Sequence, residues 1–375
     1  MKLFEYQAKE VFSKAGIPIP LGSLASDEAQ AVAAGAAIGY PCVVKAQVLS
    51  GGRGKAGLIR LARSPEELKD AARAILASPG KVRRLLIEEA IDFEKEIYLA
   101  VTADPAGAGA LVLASAEGGV DIEDLAQTAP EKILRRPIPL TEGLLPFRAR
   151  DLAYSLGLSG DRAKQFAAIA QNLYKVFIAQ DAELAEINPL FATKSGSLVA
   201  GDGKLSVDDN SLFRHPEWEP DASYFDSETA YEAYKEGIPY LQFDGDISLM
   251  CAGAGLTTTV YDLIADAGGT VANYLEFGGP NYRKGLKAME LCVKNNPKVI
   301  LIVTFGTIAR ADVMAEGIVS AMATLKPACP IVTCIRGTGE EAAAKTLRAA
   351  GLDPLTDTEA AVRRAVEFSR TGGRP

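Results

Sequence analysis

Lys45 closes a short β-branched run, Pro41-Cys42-Val43-Val44-Lys45-Ala46, and the chain then enters Gly51-Gly52-Arg53-Gly54-Lys55-Ala56-Gly57. The glycines at 51, 52, 54 and 57 rule out regular structure and favour a turn whose backbone takes positive φ. Backbone N–H groups of such a turn, with Lys45 ahead of it and Arg53 and Lys55 inside it, suit a cover over polyphosphate. No Gly-Lys-Ser/Thr ending opens a helix here, so the loop is not of the Walker A type, and a plain tight turn is the competing explanation. A second group is Glu183-Leu184-Ala185-Glu186-Ile187-Asn188-Pro189 with Asp202 in Ala200-Gly201-Asp202-Gly203-Lys204. Two strands pairing through Thr193-Lys194-Ser195-Gly196 bring Asn188 and Asp202 together, and side-chain oxygens so placed can hold Mg²⁺ beside a phosphate. Without the glycine loop, the same hairpin would simply present polar residues to water. Third, Leu85-Leu86-Ile87-Glu88-Glu89-Ala90 ends a strand in carboxylates, where an adenine amino group or ribose hydroxyls could be received and where solvated charges are also common.

These residues need elements to hold them. Apolar and charged positions over 1–15 alternate at helical spacing, and Gly16-Ile17-Pro18-Ile19-Pro20 stops that helix. A helix over 26–38, strands over 41–46, 85–89, 95–101 and 110–115, helical structure from 148 to about 180, and strands over 183–191 and 197–200 make an α+β first unit. From Asp208 to Gly237 the chain turns acidic and aromatic and apolar periodicity fades, which puts a boundary near residue 235, with domains 1–235 and 236–375. Beyond it, Ile247–Ala252 and strands over 299–304 and 330–334 alternate with helices over 257–267, 282–295, 311–325 and 340–350. That alternation predicts an α/β doubly wound sheet with parallel strands and helices on both faces.

Composition narrows the classes. A chain of 375 residues exceeds one ordinary domain, and 48% hydrophobic with 23% charged residues describes a folded globular protein. The formal charge of −8 is spread along the chain, which argues against a nucleic-acid partner that needs a basic face. The charged opening Met1–Glu10 and the lack of a long uncharged apolar run predict a cytoplasmic protein with no membrane partner. Cys42, Cys251, Cys292, Cys329 and Cys334 sit mostly in apolar runs and read as reduced core thiols. With His215 as the single histidine, neither a structural zinc site nor a Ser-His-Asp triad is readily assembled.

Taken in order, Lys45, Gly51–Gly57, Glu88, Glu96, Glu117-Gly118-Gly119-Val120-Asp121-Ile122-Glu123, Glu186-Ile187-Asn188-Pro189-Leu190 and Asp202 match an ATP-grasp layout and closely resemble the β subunit of succinyl-CoA synthetase. So do the opening Glu5-Tyr6-Gln7-Ala8-Lys9, the turn Ala252-Gly253-Ala254-Gly255-Leu256 and the stretch Phe305–Gly317. The resemblance implies an α+β ATP-grasp domain followed by a flavodoxin-like doubly wound domain. By it, Lys45 and Gly52-Arg53-Gly54 hold the nucleotide phosphates, Glu88 faces the ribose or base, residues near Ile91 bind the base through their backbone, and Glu96 completes the site. Asn188 and Asp202 are implied to bind Mg²⁺, and Glu186 to sit where the phosphoryl group is passed on. Pro20 matches the ATP-preferring members. ATP and CoA are the implied substrates. The implied partner is an α subunit that carries the CoA site and a histidine, which is phosphorylated and then passes the group to a small carboxylate. His215, in Phe213-Arg214-His215-Pro216 of the presumed linker, reads as structural, so the phosphate acceptor comes from another chain.

Phe305-Gly306-Thr307-Ile308-Ala309-Arg310 follows a strand and precedes a helix, whose free N–H groups and dipole favour an anion. The resemblance implies an acid and phosphohistidine site there, formed by Ala252, Thr307, Ile308 and Ala309. The sequence departs from the succinate enzymes at that place: Ala252 stands where they have asparagine before Gly-Ala-Gly, Gly306-Thr307-Ile308 replaces Gly-Gly-Ile, and Leu275-Glu276-Phe277-Gly278-Gly279-Pro280-Asn281-Tyr282 replaces a glycine-rich Asp-Val-Gly-Gly-Gly stretch. Succinate is the expected acid, with malate, citrate or another dicarboxylate as the alternative. Two readings of other kinds are a self-contained ATP-grasp carboxylate–amine ligase and a nucleotide-binding homologue without turnover.

Overall fold

Ser64 shows how the elements are punctuated: its hydroxyl accepts from Glu67 N at 3.2 Å, Pro65 follows, and an amphipathic helix runs from there. In a computed structural model describing residues 1–78, 82–306 and 308–372, the chain divides into two compact units, Met1–Glu219 and Pro220–Pro375.

The first unit runs α1 (Glu5–Lys14), β1 (Gly22–Ala25), α2 (Glu28–Ile38), β2 (Cys42–Ala46), β3 (Ile59–Ala62), α3 (Pro65–Leu76), β4 (Leu85–Glu89), β5 (Phe93–Asp104), β6 (Gly109–Ser115), α4 (Ile122–Thr128), β7 (Leu134–Ile138), α5 (Pro146–Ser155), α6 (Gly160–Ala179), β8 (Ala182–Thr193), β9 (Leu198–Ala200) and β10 (Lys204–Val207). Four strands form an antiparallel sheet in the order β1-β4-β2-β3. Its Cys42, Val44 and Ala46, with Leu85 and Ile87, pack on Ala31 of α2 and Leu68, Ala72 and Ile75 of α3. Because strand side chains alternate, Lys45 and Glu88 fall on the opposite face. A second antiparallel sheet has the order β10-β8-β5-β6-β7, with β9 on β8. Ile97, Leu99 and Val101 of β5 and Ala185 and Ile187 of β8 meet Phe166, Leu173 and Phe177 of α6 and Phe12 of α1. By the same alternation, Glu96, Tyr98, Glu186 and Asn188 occupy the face away from those helices.

The second unit contains α7 (Glu228–Lys235), β11 (Tyr240–Gln242), β12 (Ile247–Ala252), α8 (Ala254–Asp266), β13 (Val271–Leu275), α9 (Gly285–Val293), β14 (Val299–Gly306), α10 (Ala311–Leu325), β15 (Ile331–Gly337), α11 (Glu340–Ala349) and α12 (Thr358–Thr371). The strand order is β11-β13-β12-β14-β15, parallel except for β11 at the edge. Ile300 and Ile302 face α9, α10 and α11, whereas Val299, Leu301 and Val303 face α8 and α12, so helices cover both faces. Ala233 of α7 belongs to this unit's core, so α7 lies beyond the division, whereas a boundary drawn near residue 235 puts it before. Among the described residues no helix is long and apolar enough to cross a membrane.

Candidate active site

Six buried or half-buried charges meet where α1, β2, β4, the glycine loop and the β9–β10 connection converge. The Glu5 carboxylate takes Lys45 Nζ at 2.8 Å and Arg53 Nη1 at 2.6 Å, and Lys9 Nζ lies 3.1 Å away. Glu88 takes Lys9 at 2.6 Å and Lys45 at 2.8 Å. Arg53 Nη2 donates to Asp202 at 2.7 Å. Both ammoniums also donate to the Gly201 carbonyl, Lys9 at 2.8 Å and Lys45 at 2.6 Å. Burial opposes the Glu5 charge, but Lys45, Lys9 and Arg53 outweigh it and hold its carboxyl well below the usual range. Burial likewise opposes the Lys45 charge, and Glu5 and Glu88 overcome it, holding the ammonium above its ordinary value. Buried ions at these distances persist because each carboxylate is matched.

The glycine loop is irregular, with Gly52 at φ +74° and Gly57 at φ +69°. Arg53 points inward from it and is buried, while Lys55 is exposed, 3.8 Å from Asp121 and Asp124. Glu88 lies next to the last residue of β4, and its side chain is not solvated but 3% exposed and held by two lysines, because it alternates onto the interior face. It is Glu89 that ends the strand, accepting from Leu21 N at 2.9 Å. Ile91 begins the turn into β5 and is half-buried. Glu96 is half-buried on β5, where burial raises its carboxyl above the ordinary value.

Register then brings the hairpin residues together. Leu190 pairs with Ala200 and Glu186 with Lys204, which sets Asn188 opposite Asp202 between them. Asn188 is oriented by the 118–120 loop, Oδ1 accepting from Gly119 N at 2.8 Å and Nδ2 donating to Val120 O at 3.0 Å. Asp202 Oδ1 accepts from Gly203 N at 2.7 Å. An amide oxygen and a carboxylate, each now facing an N–H or guanidinium donor, are hard oxygen donors of the kind that would suit Mg²⁺. Glu186 accepts from Tyr98 Oη at 3.2 Å, and burial raises its carboxyl above the ordinary range. Gly118 is the tightest point: a Cβ there would stand 2.6 Å from Ile97 N and 2.7 Å from Ile97 C on β5. We expect Gly118→Ala to cost about 1–3 kcal/mol, since backbone must move. A thermal melt equal to that of the unsubstituted chain would contradict this.

In the second unit, β12 and β14 run side by side, Ala252 opposite Thr304, while the chain leaves them in opposite directions, to β13 and to β15. Their carboxyl ends therefore flank a topological switch point, where doubly wound sheets bind ligands. Ala252 ends β12, and Gly253, at φ +104°, turns into α8. Glu276 Oε1 takes Gly253 N at 3.0 Å and Gly278 N at 2.8 Å, fastening the end of β13 to the same rim. Gly306 ends β14 in a fold so tight that a Cβ would lie 1.8 Å from Ala309 O. Ile308 is 93% exposed beside it, and Thr307 lies outside the described residues.

Sequence reasoning assigned no role to Glu5, Lys9 or Tyr98. For the first two a signal exists: Glu5, Ala8, Lys9 and Phe12 are the buried residues of α1, at i, i+3, i+4, i+7, so two charges sit within the helix's inward stripe. His215 is buried, with Nε2 2.8 Å from Asp181, a structural position as read.

Two families match in succession, the ATP-grasp domain over residues 2–192 and the CoA-ligase over 250–368. An ADP-forming sulfoacetate-CoA ligase subunit of Bilophila wadsworthia is 57% identical over 98% of this chain and 99% of its own length. A subunit of the same description from Acholeplasma sp is 56% identical over 99% and 92%. The β subunit of an ADP-forming succinate–CoA ligase from Chloroflexus aurantiacus is 40% identical over 99% of each chain. Among solved structures, the ATP citrate lyase of Methanothrix soehngenii superposes with TM-score 0.75 at 22% identity, covering 98% of this chain and 99% of that one, which is a likeness of fold.

Proposed function

We propose, for a chain that belongs to the family of ADP-forming acid–CoA ligase β subunits, that the acid it activates is sulfoacetate. The observation that carries this is the difference between 57% and 56% identity to the two sulfoacetate-CoA ligase subunits and 40% to the succinate enzyme, all at near-complete coverage. The acid-site change agrees with it. A sulfonate is tetrahedral and bulkier than a planar carboxylate, and Ala252 leaves room where the succinate enzymes carry an amide. The overall reaction is sulfoacetate, ATP and CoA going to sulfoacetyl-CoA, ADP and phosphate.

On the nucleotide side, Lys45, Gly52, Arg53 and Gly54 hold the phosphates, Ile91 and Glu96 border the base and ribose, and Asn188 and Asp202 are the metal ligands. Glu88 acts by fixing Lys45. Mg²⁺, when bound, supplies charge neutralisation at the phosphates. Most of what a phosphoryl transfer needs from protein is position and positive charge, and the matched cations supply both. Glu186 lies on the same face as Asn188 and is placed to accept the second ring N–H of an incoming imidazole. That imidazole belongs to a partner subunit, since His215 is engaged with Asp181. The relatives are named as subunits, which supports a partner, and Pro20 favours ATP over GTP.

The second reading is succinate, carried by the 40% identity over nearly the whole chain. A panel of acids with the co-expressed partner separates the two by CoA- and ATP-dependent ADP release. Sulfoacetate is expected to exceed succinate at least tenfold in kcat/KM, and the reverse order overturns the assignment.

A further inference from the structure

Glu5 stands out among the six clustered charges because it touches the most cations and is the least accessible. Three cations, Lys9, Lys45 and Arg53, face three carboxylates, Glu5, Glu88 and Asp202. The side chains of Glu5 and Glu88 are 2% and 3% exposed, that of Asp202 29%. Anything arriving from solvent therefore reaches Asp202 first. Arg53 is shared between the two kinds: Nη1 holds Glu5 at 2.6 Å and the Ala46 carbonyl at 3.0 Å, while Nη2 holds Asp202 at 2.7 Å. If the Asp202 oxygen that holds Arg53 turns to a divalent cation, that guanidinium nitrogen is freed for the incoming phosphates.

We propose that Glu5 is a positioning residue for phosphoryl transfer, a fixed anchor that keeps Arg53 and Lys45 in the site while Asp202 changes partner from the guanidinium to the metal. The inference rests on the nucleotide reading above. Glu5 can serve as the anchor because α1 is seated by Ala8 and Phe12 in the core. Arg53 needs one because its loop is unconfined: Cβ atoms built at Gly51, Gly52 and Gly54 meet nothing within 4 Å. Without Glu5, the Ala46 carbonyl is the partner left to the freed guanidinium among the described residues. Lys9 completes the arrangement by tying Glu88 to the Gly201 carbonyl, next to Asp202.

A purely electrostatic role makes the opposite prediction, since removing a buried negative charge beside an anion site strengthens anion binding. The test is calorimetric binding of Mg–ATP to the complex with its partner, for the unsubstituted chain and for Glu5→Gln. Anchoring predicts at least tenfold weaker Mg–ATP binding, with adenosine affinity, read by ligand-observed NMR, unchanged because it lacks phosphates. Equal or tighter Mg–ATP binding overturns the proposal, as does a parallel loss of adenosine binding. If Glu5→Gln does not fold, Glu5→Gln/Lys9→Met restores the balance at two cations and two carboxylates and decides by the same criteria. Failure of the unsubstituted complex to bind Mg–ATP would instead remove the nucleotide reading itself.

Discussion

Asp202→Ala is expected to lower phosphorylation of the partner subunit by about 10³-fold while leaving the chain folded. Asp202 is the only carboxylate of the proposed metal pair, and Asn188, committed to Gly119 and Val120 through its amide, cannot replace its charge. A metal that neutralises transferring phosphate contributes several kcal/mol, and three decades of rate correspond to ~4 kcal/mol. Folding survives for a reason visible in the cluster: Arg53 loses one partner but keeps Glu5 and the Ala46 carbonyl, and the carboxylate removed is the most exposed of the three. The check is single-turnover transfer of label from ATP to the partner across a magnesium titration, beside a thermal melt. Unchanged transfer in a folded variant would remove the metal assignment.

Much of this architecture is legible in the chain because local chemistry and long-range pattern agree there. The doubly wound sheet follows from apolar strands alternating with amphipathic helices, and the hairpin from two β-rich runs around Thr193–Gly196. β11, β13, α7 and α12 of the second unit escape that reasoning. β13 is short and carries Asn273, a buried amide whose Nδ2 donates to Leu249 O at 2.9 Å, so its apolar run looks broken unless the neighbouring strand is known. α12 is rich in charge and buries the narrow stripe of Ala361, Val362, Ala365, Val366 and Ser369. α7 is hidden for a similar reason: only Ala233 is buried, and the helix relies on Ser227 accepting from Ala230 N at 3.1 Å.

The ion cluster escaped for a different reason. Lys45, Arg53 and Asp202 carry obvious chemistry, but the carboxylate joining the first two comes from a helix far away in sequence. Nothing local distinguishes Glu5 from a solvated helix charge except its place in the stripe with Ala8 and Phe12. Glu88 is the opposite case. At a strand end a carboxylate is ordinarily solvated, and only the pairing of β4 between β1 and β2 shows that this one alternates inward.

On the sulfoacetate reading, Ala252→Asn is expected to move the acid preference toward succinate, changing the ratio of kcat/KM values by about 10–100-fold. Ala252 is the last residue of β12, at the switch point beside Gly253 and opposite Thr304, and is held there by the bridge from Cys251 to Glu276. A methyl group in that place offers space and no donor, which on the sulfoacetate reading would suit the bulkier three-oxygen sulfonate. An amide fills the space and presents a flat donor that matches a carboxylate, and discrimination by one such contact amounts to ~1–3 kcal/mol. The substitution leaves every nucleotide-side residue untouched, so phosphorylation of the partner by ATP alone should stay within about twofold of the unsubstituted enzyme, well under 1 kcal/mol. The two measurements together separate specificity from general damage. Loss of both acids with normal partner phosphorylation would show that the amide only blocks the site, and an unchanged ratio would show that the acid does not reach residue 252.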